Sequence, residues 1–170
     1  MQKVKRHFFA LRNGIIADVL RKGGSPFRII FGLNLPQIVE VAEAAGTDSE
    51  LAEALWANRT TRESMLAAPM LVDRSVFTTA DALRWASEVP CAEVADSLCH
   101  RLLRHLPEAW QIAETLVNDN PGDFGRYTGL RLAFNLVAKD PARALSLARS
   151  CPAEPLASSL AEEAEFLAGE

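Results

Sequence analysis

The chain carries little material for a sheet. Residues branched at Cβ come in few runs, and there is one tyrosine in 170 residues. Ala and Leu dominate, and apolar positions recur at spacings of three and four throughout. That composition and period predict an all-α protein. A Gly-rich phosphate loop needs a strand before it, so that nucleotide site is excluded. Cysteine is equally scarce: Cys91, Cys99 and Cys151 form no disulfide framework and no CxxC motif. Free, buried thiols in a reducing compartment are expected. No apolar run is long enough to cross a bilayer, because Phe8–Leu20 is short and charged. No signal peptide opens the chain, which predicts a cytoplasmic protein without membrane contact. His7, His100 and His105 share no helix face with a Cys at ligand spacing. No metal site is expected. Cys99 and His100 are adjacent on a helix, where side chains diverge by ~100°, so they make no nucleophile–base pair.

What remains is a chain of single-domain length, predicted to fold as one domain over residues 1–170. Hydrophobic residues make up 49%, enough for a sizeable core. The net charge of −4 is unevenly spread. Residues 1–31 hold Lys3, Lys5, Arg6, Arg12, Arg21, Lys22 and Arg28 against Asp18 alone, a net +6 that leaves −10 for the rest. The basic start suits phosphate or an acidic protein surface. The acidic remainder opposes non-specific DNA binding, which depends on neutralising phosphates.

Caps and breakers divide the chain into about ten helices. Lys3–Lys22 reads as one amphipathic helix, stopped by Gly23-Gly24-Ser25-Pro26. Phe27–Leu35 is an apolar link containing Gly32, and Pro36 opens the next helix. Asp48 caps another, and Thr60 or Thr61 starts a fourth, which Pro69 is expected to kink or end early. Thr78 or Thr79 caps a helix through Ser87. Further helices follow at Cys91–Leu106, Pro107–Asn118, Asp123–Ala138, Asp140–Ser150 and Leu156–Ala168. Starts near 48, 78, 107 and 140 recur at roughly 30 residues, the period of stacked helical hairpins. A four-helix bundle is the alternative and needs fewer, longer helices. Trp56, Trp85 and Trp110 occupy apolar helical positions and are read as core.

The middle helix, CAEVADSLCHRLLRHL, organises the rest. Cys91, Val94, Ala95, Leu98, Cys99, Leu102, Leu103 and Leu106 form a broad apolar face. Asp96 lies at its border, one turn before His100, and helical spacing pairs the two. In the later Asp123–Ala138 helix, Tyr127, Leu130, Phe134 and Val137 form one apolar face, and Leu132 and Leu136 a second. Thr128, Arg131 and Asn135 fill the polar strip between. Arg126 and Arg131 either reach phosphate or pair with Asp123 and Asn135.

Several stretches together resemble a known family. They are Phe31-Gly32-Leu33-Asn34-Leu35-Pro36, Leu51-Ala52-Glu53-Ala54-Leu55-Trp56, and Glu63 with Leu66-Ala67-Ala68. Arg84-Trp85, Asp96-Ser97-Leu98-Cys99 and Arg126-Tyr127-Thr128-Gly129 continue the series. In this order the chain is similar to the DNA alkylation repair enzymes of the AlkD type over roughly residues 27 to 138. The resemblance implies a HEAT-like superhelix with a concave surface for duplex DNA. It implies hydrolysis of the glycosidic bond of cationic alkylpurines, with Asp96 as the essential carboxylate, and no cofactor. The family carries a Trp a few residues before that Asp, where this chain has Ala92. Nothing after Trp110 replaces a second family Trp.

Two readings of function follow. In the first, the protein binds duplex DNA through Lys3, Lys5, Arg6, Arg126 and Arg131, and Asp96 excises alkylated purines. In the second, it is a non-catalytic helical-repeat scaffold that binds protein, or binds DNA without cutting it.

Overall fold

Side-chain caps set the start of five of the described helices. The structure, a computed structural model, describes residues 1–169. Among them are α1 (Gln2–Ala10), α2 (Gly14–Lys22), α3 (Leu35–Ala45), α4 (Ser49–Trp56), α5 (Arg62–Leu71) and α6 (Thr79–Ser87). They are followed by α7 (Ala92–Arg101), α8 (Ala109–Asp119), α9 (Gly125–Leu136), α10 (Pro141–Ser150) and α11 (Pro155–Ala168). Asn34 and Gln37 form a reciprocal capping box at α3, as Thr78 and Asp81 do at α6. The Asp48 carboxylate accepts from Leu51 N–H at α4, and Asp140 from Arg143 N–H at α10. Among the described residues the only β-type pairing is one isolated bridge, Ile29 to Thr61. The all-α expectation holds, and α4, α6, α8 and α10 begin at Ser49, Thr79, Ala109 and Pro141, the anticipated spacing of roughly 30 residues.

Three expectations about helix bounds are corrected. Residues 3–22 make two helices, because Asn13 is extended and its side chain accepts from Ile15 and Ile16 N–H, capping α2. The predicted single stripe is therefore broken: Val4, Phe8 and Ala17 are buried, while Ile15 stands 80% exposed. Pro69 does not end its helix; α5 runs on to Leu71. An interior proline costs about 3 kcal/mol, and here it is offset by packing against α3 and α4 that buries almost every α5 side chain. The middle helix stops at Arg101, and a 3₁₀ turn over Leu103–His105 carries the apolar face on.

The chain forms two compact units, Met1–Val76 and Phe77–Glu170. In the first, the link before α3 is held by Glu63, whose side chain is fully buried. Its carboxylate accepts from the N–H groups of Phe31, Gly32 and Leu33 at 3.1, 2.9 and 3.4 Å, and from Arg62 at 3.0 Å. Arg62 also donates to the Leu33 carbonyl at 3.0 Å. Gly32 sits at φ +79°, and a Cβ there would collide with the Asn13 carbonyl, so only glycine fits this crossing. Two of the stretches singled out in the sequence, the Phe31–Pro36 link and Glu63, are thus one buried joint.

In the second unit α9 is central, and not the middle helix α7 expected from the sequence, which packs mainly on α9. Helix α9 packs on α8 most extensively and also on α6, α7, α10 and α11. Leu130, Leu132, Ala133 and Leu136 are buried, as a helix enclosed on two sides requires.

Candidate functional site

Asp96 lies on α7 where that helix meets α9. Its partners come from α9. The Tyr127 hydroxyl donates to Oδ1 at 3.0 Å, and Arg131 Nε donates to the same oxygen at 2.7 Å. A second guanidinium N–H reaches Oδ2 at 3.3 Å. Arg131 thus grips the carboxylate with two prongs, the strong geometry for this pair. Oδ1 takes both short bonds and Oδ2 only the long one. The Asp96 side chain nonetheless remains 41% exposed. The pairing of Asp96 with His100 expected from helical spacing is not seen: the Asp96 carboxylate turns to Tyr127 and Arg131 on α9, and His100 is left exposed one turn along α7. Partial burial, with Arg104 and Arg101 nearby, holds the His100 imidazole below its usual range.

The depth of the α8–α9 contact sets this geometry. A Cβ on Gly129 would come within 2.7 Å of the Ala113 carbonyl oxygen and 2.9 Å of Val117 N, both backbone atoms of α8. Gly129 therefore lets α9 sit close, with Tyr127 and Arg131 placed two residues to either side. The α7–α9 contact is tied again at Cys99, whose thiol donates to the Thr128 carbonyl at 3.3 Å. Burial, then the nearby Asp96 charge, pushes the Cys99 thiol far above its ordinary range, so it stays protonated and inert.

The electrostatics agree with the hydrogen bonds. Tyr127 is raised by burial first, then by the Asp96 charge and hydrogen bond. For Arg131, burial works against the charge, but the hydrogen bond to Asp96 and its charge outweigh that and raise the group. The cluster is a carboxylate and a guanidinium in direct contact, with the Tyr127 hydroxyl donating to the same carboxylate oxygen. The aromatic surroundings come from α9 and the residue before it: Phe124 meets Tyr127 edge-on at 6.2 Å, and Arg131 lies 6.0 Å from the Phe134 ring centre. On α7, Ala92 offers only a methyl group one turn before Asp96.

The other anticipated residues are not members of the Asp96 cluster. Lys3, Lys5 and Arg6 are on α1 in the first unit. Arg126, on α9, donates to the Val117 carbonyl at 3.3 Å and Glu154 at 3.4 Å, not to Asp123. It borders a cleft of about 380 Å³ that also includes Cys151 and Ser150. Trp56 and Trp85 are core as expected, whereas Trp110 is half-exposed with Arg143 5.3 Å from its ring. Apolar spacing places Tyr127 on a packing face and misses its polar role. Its spacing of four from Arg131 is the signal that puts both on one side of α9.

Comparison with known proteins agrees with this architecture. No curated protein matches. A solved structure described as "a new family of proteins related to the HEAT-like repeat DNA glycosylases with affinity for branched DNA structures" superposes with a TM-score of 0.79. It is 16% identical in sequence, and the match covers 96% of this chain and 73% of that one. At that identity the likeness establishes the HEAT-like helical fold. The family model for the DNA alkylation repair enzyme matches residues 4–147, which contain α7, α9 and the Asp96 cluster. The chain belongs to the DNA alkylation repair enzyme family.

Proposed function

We propose that the protein binds DNA and that Asp96 cleaves the glycosidic bond of cationic alkylated purines. One observation carries the reading: a carboxylate fixed by two donors from a neighbouring helix yet left 41% open. The carboxylate is oriented from α9 on one side and open on the other. As the N-glycosidic bond breaks, its electron pair moves onto the base and cancels the base's charge. No strong general acid is needed. The sugar becomes cationic, and the Asp96 anion stabilises it. Oδ2, with only the 3.3 Å contact, is the oxygen free to turn to the sugar or to an incoming water. Water adds to the sugar carbon, and its proton passes to Asp96 Oδ2 and from there to solvent. Tyr127 and Arg131 hold the carboxylate in its orientation.

A second reading has an observation of its own. Ala92 leaves α7 without an aromatic wall for the cationic base. DNA binding without cutting follows, and the affinity for branched DNA of the proteins sharing this fold makes branched substrates the first to try.

Release of methylated purine from labelled duplex DNA tests both. The Asp96→Asn protein should lose about 10²–10³-fold in rate, or ~3–4 kcal/mol by analogy with single electrostatic groups. Its helicity and DNA affinity should be nearly unchanged. Wild-type protein that binds DNA but releases no base leaves only the second reading.

A further inference from the structure

A cleft of about 530 Å³ opens in the first unit, far in sequence from Asp96. That volume lies within the ~300–1,000 Å³ typical of small-ligand sites. Its walls are the end of α1, the start of α2 and the link that Glu63 fastens. Phe9, Arg12, Gly14, Ala17, Arg21 and Phe31 line it. The floor is apolar and the rim carries two guanidinium groups. Phe9 is 56% exposed, which is unusual for a phenylalanine. The Arg12 guanidinium lies over its ring at 3.9 Å and donates to the Phe9 carbonyl at 2.9 Å. The guanidinium covers one face of the ring and leaves its own outer face, backed by Phe9, as the flat surface, with further Arg12 N–H donors left over. Arg21 is anchored by Asp18 at 2.9 Å and by the Ile30 carbonyl at 3.4 Å. Asp18 is the one acid among the first 31 residues, and it does not line the cleft.

A planar π-system joined to an anion fits these walls. We propose that the cleft is a DNA subsite separate from Asp96, taking one unstacked nucleotide of a single strand. Its base lies against Phe9 and Arg12, and a flanking phosphate is held by Arg12 and Arg21. This rests on the DNA-binding part of the function proposed above and not on cleavage. Base–aromatic stacking tolerates any sequence, because every base has a π-face. The subsite therefore reads the unpaired state of a nucleotide, not its identity. Preorganisation comes from the buried joint: Glu63 fixes the backbone of Phe31 and Gly32, so the far wall is rigid before the strand arrives.

Gly14 provides a clean block. A Cβ built there meets nothing within 4 Å, although the residue lines the cleft. Gly14→Leu therefore fills the space without strain on its neighbours. Fluorescence anisotropy with a labelled single-stranded oligothymidylate, on the full chain at low salt, is the measurement. Phe9→Ala should weaken binding roughly 5- to 100-fold, Gly14→Leu should do the same or more, and Asp96→Asn should leave it unchanged. Arg12→Gln with Arg21→Gln should flatten the slope of log affinity against log salt by about 0.7 for each phosphate no longer neutralised. Circular dichroism should show wild-type helicity in every variant. Oligothymidylate binding that ignores Phe9→Ala and Gly14→Leu overturns the subsite, as does no binding at low salt. Equal competition by thymidine 5′-monophosphate also overturns it, in favour of a free-nucleotide site. Phe9-dependent strand binding without base release would sustain the subsite while removing the glycosylase reading.

Discussion

At the scale of single residues, the chain's one tyrosine is also the reporter of its candidate site. Tyr127 sits in a bond to Asp96 that only the protonated phenol can donate. Burial and the Asp96 charge raise its pKa above the ordinary value of about 10. The folded state thus holds this proton more tightly than the unfolded chain does. The resulting stabilisation is complete below about pH 10 and is lost as pH rises through the raised folded value. Phenolate absorbance in an alkaline titration should therefore appear late, and Asp96→Asn should bring it back towards the ordinary range. A normal midpoint in the wild-type protein would contradict the cluster. The sequence points to Asp96 through family resemblance but hides its partners. Those partners are 31 and 35 positions away, and a helical wheel sees only neighbours on the same helix. Tyrosine compounds the difficulty, because its ring satisfies an apolar face while its hydroxyl serves a polar one.

At the scale of elements, the α8–α9 contact carries the site. Gly129→Ala would drive a methyl group into two backbone atoms of α8, which cannot step aside as a side-chain end can. Overpacking of this kind costs about 1–3 kcal/mol, so the melting temperature should fall by roughly 2–12 °C. The displaced α9 should also weaken the Asp96 bonds, moving the Tyr127 titration in the same sample. An unchanged melting curve would show that α9 can sit further out. Helix starts are legible wherever one residue makes the cap, as at Asp48, Thr78 and Asp140. The break at Asn13-Gly14 is equally local, but it interrupts a run whose apolar spacing continues across it, and period outweighs punctuation. Pro69 fails as a stop signal for the opposite reason: burial between α3 and α4, invisible in the local sequence, keeps α5 helical.

At the scale of the whole molecule, charge divides with the two units. The first carries ten Lys and Arg against eight Asp and Glu, the second eight against fourteen. Attraction to DNA phosphate should therefore come mainly from the first unit, although Asp96 belongs to the second. Replacing Lys3, Lys5 and Arg6 by Gln should reduce the slope of log affinity against log salt by roughly 2–3, at about 0.9 per duplex phosphate. A slope unaffected by these changes would assign the basic start to a protein surface. The roughly 30-residue recurrence of helix starts is readable because every hairpin repeats the same packing need. Which faces stay open is not, because exposure depends on neighbours distant in sequence.

The tryptophans acquire an optical meaning from this division. Trp56 lies in the first unit and Trp85 in the second, both almost wholly enclosed, while Trp110 stands half-open beside the Arg143 cation. An iodide titration of the native protein should dim the Trp110 emission and leave the other two out of the quencher's reach. Each unit then holds a sealed lamp of its own. In a chain that keeps only one of these lamps, the denaturant concentration at which iodide first dims it marks where that half of the protein opens.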